Sequence, residues 1–408
     1  MIKKPEILSP AGDFEKLKAA VRFGADAVYV GGKSFGMRAA SGNFTVDELR
    51  EAVELVHSKG KKLYLTLNNL LHGDKYPELR EFLTEIKDIG IDAYIIADLG
   101  VMTTVREIIP DAEIHISTQA SICSPAAALA YAKLGAKRLV LARELTLDEI
   151  KAIRDALPDD IELEAFVHGA MCVSYSGRCM LSNQILGRDA NQGMCAQPCR
   201  WNYILYEEKR PDMPIPIEQN ENGTFIMSSK DMCTVAIIPE LVRAGIDSFK
   251  IEGRVKSAYY TAVVTNAYRM ALDAYFADPE GYVFDTKIMD ELESVSHREY
   301  HTGFYLNDPM ENAVLCNKSG YIRDKAYLAT ARADSDADGL CRFMQKNKLT
   351  VGEDAEIITP GKAGRRFTVK ELYDENGEAI ESAPHPSMVF YTRVPFKVSE
   401  GDIMRGAD

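Results

Sequence analysis

Apolar positions in the first 255 residues follow one repeated order: a helical stretch, a glycine, a short polar step and a compact apolar run. The order occurs in RFGADAVYVGG (22–32), DIGIDAYIIAD (88–98), KLGAKRLVLAR (133–143) and RAGIDSFKIEG (243–253). A glycine in the left-handed conformation commonly ends a helix, which predicts this role for Gly24, Gly90, Gly135 and Gly245. Apolar runs without alternation are typical of parallel strands buried on both faces. The pattern therefore predicts helices that alternate with buried parallel strands.

Four further apolar runs bring the number of predicted strands to eight: 5–10, 62–67, 113–118 and 161–169. Helices are predicted at 13–23, 46–59, 77–89, 99–108, 124–134, 147–156, 234–244 and 257–276, with N-caps at Thr45 and Thr146. Eight strand-then-helix units in about 255 residues predict an α/β fold, a TIM-like (β/α)8 barrel. A doubly wound sheet is the alternative, but no G-x-G-x-x-G follows the first strand.

The repeated order breaks once, between the seventh and eighth strands, where residues 170–224 form a long insertion. Loops that follow barrel strands lie at the C-terminal face, where barrel active sites are built. We therefore expect a barrel over 1–280 with its insertion at the active-site mouth. A connector over 281–318 and a small all-β domain over 319–408 follow, because short apolar stretches there alternate with Gly, Asp and Pro.

Composition and charge restrict the location and the partners of the chain. No apolar run approaches the ~20 residues that a transmembrane helix needs, and the N-terminus turns polar too early for a signal peptide. We expect a cytoplasmic, reducing location and no membrane partner. The net charge of −13 argues against nonspecific nucleic-acid binding, although a local basic patch for RNA stays compatible with it.

Four cysteines gather in the insertion with the spacing C-x6-C-x15-C-x3-C: Cys172, Cys179, Cys195 and Cys199. Four thiolates suit tetrahedral zinc or an iron–sulfur cluster, and a reducing location disfavours a disulfide framework. The spacing does not distinguish a zinc site from an iron–sulfur cluster. Cys233, in SSKDMC, is a fifth candidate ligand, whereas Cys123, Cys316 and Cys341 are expected to be buried apolar residues.

Polar residues end most of the predicted strands, where barrel side chains point at the active site. They are Asn68, Asp98, Ser117, Gln119, Arg143, Glu144, His168, Glu252 and Arg254. For each of them a helix cap or a loop ion pair is the alternative. Glu252 and Arg254 could clamp an anionic small molecule. His168 could act as a general acid or base, could donate to a cluster sulfur, or could be a hydrogen-bonded strand-end residue.

Two other groups of residues carry expectations of their own. Glu164 needs a cationic or hydrogen-bonding partner if it points into the barrel, because an isolated buried carboxylate is costly. Arginines and aromatic residues surround the cysteines and could stack bases and bind phosphate, or could form a solvated loop. They are Arg178, Arg188, Arg200, Trp201 and Tyr203.

Seven motifs give the chain a resemblance to the peptidase U32 family. They are LSPAGD (8–13), GADAVYVGG (24–32), EAFVHGAMCVSYSGRC (164–179), RDANQGMCAQPCRW (188–201), SSKDMC (228–233), KIEGRVKSAYY (250–260) and HREYHTGF (297–304). Besides a reported collagenase-like proteolysis, the family includes RNA and ubiquinone hydroxylation branches whose members hold a [4Fe-4S] cluster. The chain is most similar to the tRNA hydroxylation branch, which forms 5-hydroxyuridine at the wobble position and depends on prephenate.

The resemblance implies a set of site residues and partners. Cys172, Cys179, Cys195 and Cys199 would hold the [4Fe-4S] cluster, with Cys233 as the alternative to Cys199. The catalytic candidates are His168, Glu252, Arg254 and Arg143, of which the arginines would hold the dicarboxylate prephenate, and Arg178 and Arg200 are candidate binding residues. The implied partner is tRNA, and a protein partner or electron donor and a homo- or hetero-oligomer are left open.

Three alternatives to a tRNA hydroxylase remain at the level of the sequence. A collagenase-like peptidase would pair a thiolate with a histidine, for example Cys172 with His168. No H-E-x-x-H is present, so the usual zinc-protease helix is absent. The others are a non-catalytic iron–sulfur subunit and a hydroxylase of another substrate, such as an rRNA cytidine.

Overall fold

The computed structural model describes residues 3–37, 42–172, 179, 181–188, 190, 193–200, 218–220, 223–225, 230–306 and 321–407. Its contacts divide the chain into two compact units. The first comprises Met1–Leu17, Ala25–Lys256 and His297–Tyr321, and the second comprises Lys18–Gly24, Ser257–Ser296 and Ile322–Asp408. The domain boundaries near residues 280 and 318 stay predictions from the sequence.

The barrel consists of eight parallel strands in one closed ring, as the sequence predicts. They are β1 (Glu6–Pro10), β2 (Ala27–Gly31), β3 (Lys62–Leu67), β4 (Ala93–Ile96), β5 (Ile114–Ile116), β6 (Arg138–Val140), β7 (Glu162–Ala170) and β11 (Ser248–Ile251). Each pairs with the next along the chain, and β11 pairs with both β7 and β1, which closes the ring. The fold class is therefore confirmed.

The helices alternate with these strands at the predicted places. They are α1 (Phe14–Arg22), α2 (Val46–His57), α3 (Tyr76–Ile86), α4 (Leu99–Ile108), α5 (Pro125–Lys133), α6 (Leu147–Ala156), α7 (Leu181–Leu186), α8 (Ile238–Arg243), α9 (Ala258–Ala277) and α10 (Lys287–Glu293). Thr45 and Thr146 form capping boxes with Glu48 and Glu149, so both predicted N-caps are confirmed. The four predicted C-cap glycines have φ values from 82° to 104°. The sequence did not predict α7 or α10.

Short strands follow β7. They are β8 (Glu218–Asn220) and β9 (Gly223–Phe225), which pair with each other, then β10 (Asp231–Cys233) and β12 (Tyr300–His301). Strand β10 runs antiparallel to the end of β7, and β12 pairs with β10. These two strands extend the sheet beyond the barrel on the side of β7, where the sequence predicted only loop.

The C-terminal part of the second unit is all-β, as predicted. Its strands are β13 (Tyr327–Ala331), β14 (Leu340–Gln345), β15 (Leu349–Thr350), β16 (Asp354–Ile358), β17 (Arg365–Thr368), β18 (Leu372–Tyr373), β19 (Ala379–Ile380), β20 (Ser382–Ala383), β21 (Val389–Arg393) and β22 (Ile403–Gly406). Eight of them form one antiparallel sheet, in which Phe343 and Phe390 stack at the centre of a buried apolar core. Among the described residues, none of the helices has the length and hydropathy that a bilayer span requires.

Candidate functional site

A narrow cavity of about 40 Å³ lies at the carboxyl ends of the barrel strands, and we call it the mouth cavity. It is lined by Tyr29, Met37, Thr66, Asn68, Ile95, Ser117, Thr118, Gln119, Arg143, Phe166, Lys250, Glu252 and Arg254. The structure thus brings together most of the predicted strand-end residues: Asn68, Ser117, Gln119, Arg143, Glu252 and Arg254. A site built from several strand ends is the usual arrangement in (β/α)8 barrels.

The charge of the mouth cavity favours an anionic ligand. Arg143, Lys250 and Arg254 contribute three cationic groups, whereas Glu252 contributes one carboxylate. Arg254 is almost fully buried, and its Nη1 donates a hydrogen bond to Thr66 Oγ1 at 3.1 Å. Gly31 makes room for this guanidinium, because a Cβ at that position would collide with Arg254 Nη1.

Arg143 contacts three different parts of the site. Its guanidinium lies over the ring of Phe166, 3.8 Å from the centroid, in a cation–π arrangement. Its Nη1 donates to the carbonyl oxygen of Ala170, and its Nη2 lies 3.8 Å from Glu252 Oε2. Ala170 is the last residue of β7 and precedes Cys172 by two positions. Arg143 therefore joins the mouth cavity to the beginning of the cysteine-bearing segment.

Lys250 and Glu164 form a buried ion pair inside the barrel. Lys250 Nζ donates to Glu164 Oε1 at 2.6 Å, and Arg138 Nη1 lies 3.1 Å from Glu164 Oε2. The expectation that Glu164 needs a cationic or hydrogen-bonding partner is therefore confirmed. Burial lowers the pKa of Lys250 despite the opposing effect of the Glu164 carboxylate. The sequence analysis missed Lys250, although a lysine within the apolar strand SFKI was an available signal.

Asp98 and Glu144 do not line the mouth cavity. Asp98 is the N-cap of α4, where its Oδ1 accepts hydrogen bonds from Gly100 N at 2.7 Å and Val101 N at 3.1 Å. For Asp98 the alternative of a helix cap is therefore the correct one.

His168 lies outside the mouth cavity, in a neighbouring buried cluster. The register between β7 and β11 shifts by one residue, so that Lys250 is opposite Phe166 while Ile251 is opposite His168. Because side chains alternate along a strand, this bulge places His168 out of phase with Glu164 and Phe166. Burial lowers the pKa of His168 to about 3, so the imidazole is neutral at neutral pH.

The cluster around His168 is built from β10 and the segment HREYH. The ring of Tyr300 lies 5.3 Å from that of His168 and stacks on His297 at 4.2 Å. Arg298 Nη2 donates to Asp231 Oδ1 at 2.6 Å, and both side chains are almost fully buried. Cys233 is buried and pairs in register with His168 across the antiparallel strands. The candidate ligand Cys233 therefore lies beside the candidate His168.

The cysteines of the insertion differ in exposure. Cys172 and Cys195 are exposed, whereas Cys179 and Cys199 are half-buried. Thiols of this kind suit an iron–sulfur cluster chemically. Within the described ranges, no three His, Cys, Asp or Glu side chains are gathered closely enough to hold a metal ion. The set of ligands therefore stays a prediction.

The remaining candidate cysteines and arginines differ in whether they are buried or exposed. Cys341 is buried in the core of the second unit, as predicted. Cys123 is exposed, so the prediction that it is buried is wrong; it lies in the loop that precedes α5, directly after a left-handed turn at Ser121. Arg188 is exposed. The following fall outside the described residues: Cys316, Arg178, Trp201, Tyr203 and the side chain of Arg200.

Known proteins resemble this chain over almost its whole length. The tRNA hydroxylation protein P1 of Bacillus subtilis (strain 168) is 36% identical over 99% of this chain and 95% of its own length. The tRNA hydroxylation protein P of Escherichia coli (strain K12) is 34% identical over 96% of this chain and 94% of its own. A collagenase of Porphyromonas gingivalis (strain ATCC BAA-308 / W83) is 32% identical over 87% of this chain and 86% of its own.

Family patterns cover both parts of the sequence. Peptidase family U32 matches residues 12–314, and the peptidase family U32 C-terminal domain matches residues 323–405. The first match alone includes seven of the eight barrel strands, from β2 to β11, together with the cysteine motifs and the HREYH segment. The chain therefore belongs to the peptidase U32 family.

Proposed function

We propose that this protein hydroxylates tRNA, forming 5-hydroxyuridine at the wobble position with prephenate as co-substrate. Relatives named as tRNA hydroxylation proteins, at 34–36% identity over nearly the full chain, support the choice of tRNA. The observation that carries the proposal is the cationic mouth cavity, whose Arg143 also holds the strand end that leads into Cys172. Such a cavity suits the carboxylates of prephenate.

The residues of the mouth cavity have distinct roles in this proposal. Arg254, which is held by its hydrogen bond to Thr66, binds a carboxylate of the ligand. Arg143 orients the ligand, and Glu252 restrains the guanidinium of Arg143. The amide and hydroxyl groups of Asn68, Ser117 and Gln119 supply further hydrogen bonds. A cavity of about 40 Å³ accommodates one acidic arm of the co-substrate, with the remainder outside.

A [4Fe-4S] cluster is part of the proposal as a cofactor. Cys172, Cys179 and Cys195 would hold it, with Cys199 or Cys233 as the fourth ligand, and it would supply one-electron redox chemistry. Two observations support this: Cys172 and Cys195 are exposed thiols, and Cys172 lies two residues beyond the strand end that Arg143 fixes. His168, neutral and buried beside Cys233, would donate or accept a hydrogen bond near the cluster.

The alternatives have less support from the site. A Cys172–His168 peptidase pair needs a histidine that accepts and returns a proton, whereas His168 is buried with a pKa of about 3. An rRNA cytidine substrate and a non-catalytic iron–sulfur subunit stay open to experiment.

Mass spectrometry of RNA nucleosides from a deletion strain tests the proposal. We expect 5-hydroxyuridine in tRNA to disappear on deletion and to return with the wild-type gene or with Cys123→Ser, an exposed thiol outside the cluster motif. Cys172→Ser should not restore it, and the anaerobically purified variant should lose absorbance near ~400 nm. Unchanged wobble uridines in the deletion strain would overturn the proposal, and a loss of 5-hydroxycytidine from rRNA would redirect it.

A further inference from the structure

The geometry points to Lys250 as a covalent catalytic residue, which forms an imine with the keto group of a small α-keto acid in the mouth cavity. The inference rests on the proposed function in one respect, since prephenate carries an α-keto acid arm. It goes further by assigning that arm a covalent partner.

Lys250 has the position that imine chemistry requires. It projects from barrel strand β11 into the mouth cavity, and only 4% of the residue is exposed. Its Nζ lies 4.6 Å from the ring centroid of Tyr29 and 5.5 Å from that of Phe166. The two ring faces attract the ammonium and hold it at the cavity, whereas burial inside the barrel favours the neutral amine, which is the nucleophile in imine formation.

Glu164 is placed to accept the proton that Lys250 must lose. Its Oε1 accepts a hydrogen bond from Lys250 Nζ at 2.6 Å, and Arg138 stabilises the same carboxylate from the other side. A purely structural ion pair would also bury Lys250, but it would not require the ammonium to line a cavity. Burial lowers the pKa of Lys250, which supports this role.

The same cavity supplies groups that recognise an α-keto acid. Arg143 and Arg254 lie at the mouth and can bind the carboxylate adjacent to the keto carbon. We expect an α-keto carboxylate bound in this way to present its carbonyl carbon to the amine of Lys250, which lines the same cavity. An α-hydroxy acid, such as lactate, offers the same carboxylate but has no keto group for the amine to attack.

The step balances without an oxidant or a reductant. The Lys250 ammonium gives one proton to Glu164, and the neutral amine forms a bond to the carbonyl carbon. The carbonyl oxygen takes up two protons, one returned by Glu164 and one lost by the attacking nitrogen, and leaves as water when the C–O bond breaks. The product is a protonated imine, whose positive charge replaces that of the ammonium beside Glu164.

Reductive trapping tests this inference on the full-length protein. The protein is incubated with pyruvate and sodium cyanoborohydride, and the adduct is located by peptide mass spectrometry. We expect Lys250 to be modified at least tenfold faster than the exposed Lys59. Lactate in place of pyruvate should give no adduct, and prephenate should compete with pyruvate for Lys250.

Two variants keep the test decisive. Lys250→Arg preserves the positive charge beside Glu164 and should lose the specific adduct without a large change in thermal unfolding. The control variant Lys59→Arg should retain the adduct at Lys250. Trapping only at exposed lysines, or equal trapping in Lys250→Arg, would overturn the inference. The trapping experiment uses no tRNA, so its result is independent of the tRNA assay. If the protein hydroxylates tRNA but Lys250 is not trapped, the imine is refuted and the proposed function stands.

Discussion

Arg143 Nη1 donates a hydrogen bond to the carbonyl oxygen of Ala170, so a side chain of the mouth cavity fixes the last residue of β7. The same guanidinium stacks on Phe166 and approaches the carboxylate of Glu252. A ligand that draws Arg143 towards itself therefore acts on the chain just before Cys172. In the proposed function, this one residue would join co-substrate binding to the cysteine segment.

Replacement of Arg143 by lysine should weaken ligand binding. A single ammonium cannot stack on Phe166, donate to Ala170 and approach Glu252 at once, because it lacks the planar fork of a guanidinium. We expect Arg143→Lys to raise the Kd for prephenate roughly tenfold, measured by calorimetric titration. Arg80→Lys changes only an exposed ion pair with Glu107 and should leave the Kd unchanged. Equal affinities in both variants would exclude Arg143 from the binding site.

A methyl group at Gly31 should displace Arg254. The Cβ of Gly31→Ala would collide with Arg254 Nη1 and would lie 2.8 Å from Asn43 Oδ1. We expect loss of prephenate binding at a stability cost of about 1–3 kcal/mol, the usual range for overpacking. Gly73→Ala is the matched control, since nothing lies within 4 Å of its Cβ. Binding of prephenate by Gly31→Ala at wild-type affinity would contradict the proposed role of Arg254.

Neutralisation of Asp231 should destabilise the first unit strongly. Burial tends to raise the pKa of Asp231, but the positive charges of Arg298 and Lys256 outweigh this effect and lower the pKa overall. The carboxylate is therefore charged in the folded protein. Asp231→Asn would remove the buried carboxylate with which Arg298 pairs, and we expect a loss of about 3–5 kcal/mol in the free energy of denaturant unfolding. Asp160→Asn removes an exposed partner of Lys137 and should change the unfolding midpoint little.

His168 should make the folded state sensitive to mild acid. Its pKa is lowered from 6.5 to about 3 by burial, so between these values the unfolded state binds a proton that the folded state does not. The folded state therefore loses about 1 kcal/mol from this residue between pH 7.5 and pH 5.5. His168→Asn should lose less stability than the wild type over that interval in urea unfolding. Identical pH dependence would show that His168 titrates normally.

The sequence was sufficient to predict the elements of the fold because the physical signals are local. Helix-ending glycines such as Gly135 and threonine caps such as Thr45 act within a few residues, and the structure confirms them. Eight apolar runs then allow few closed arrangements. The strand-end residues Asn68 and Arg254 meet at the mouth because parallel strands end at one face.

Features that depend on non-local pairing could not be predicted in this way. Whether Lys250 points into the barrel follows from its partner Glu164, which is 86 positions away in the sequence. Strand β10 forms because the end of β7 extends beyond the barrel and offers unpaired backbone groups. Alternation along β7 would have placed His168 with Phe166, and only the register against β11 reveals the shift.

The bulge in β7 divides the side chains of this strand between two sites. Val167 is the extra residue at the register shift, and its carbonyl oxygen accepts hydrogen bonds from Thr234. Because of this extra residue, Phe166 lies opposite Lys250 while His168 lies opposite Ile251 and beside Cys233. One strand thereby serves two neighbouring sites, with Glu164 and Phe166 on the barrel side and His168 in the cluster with Tyr300.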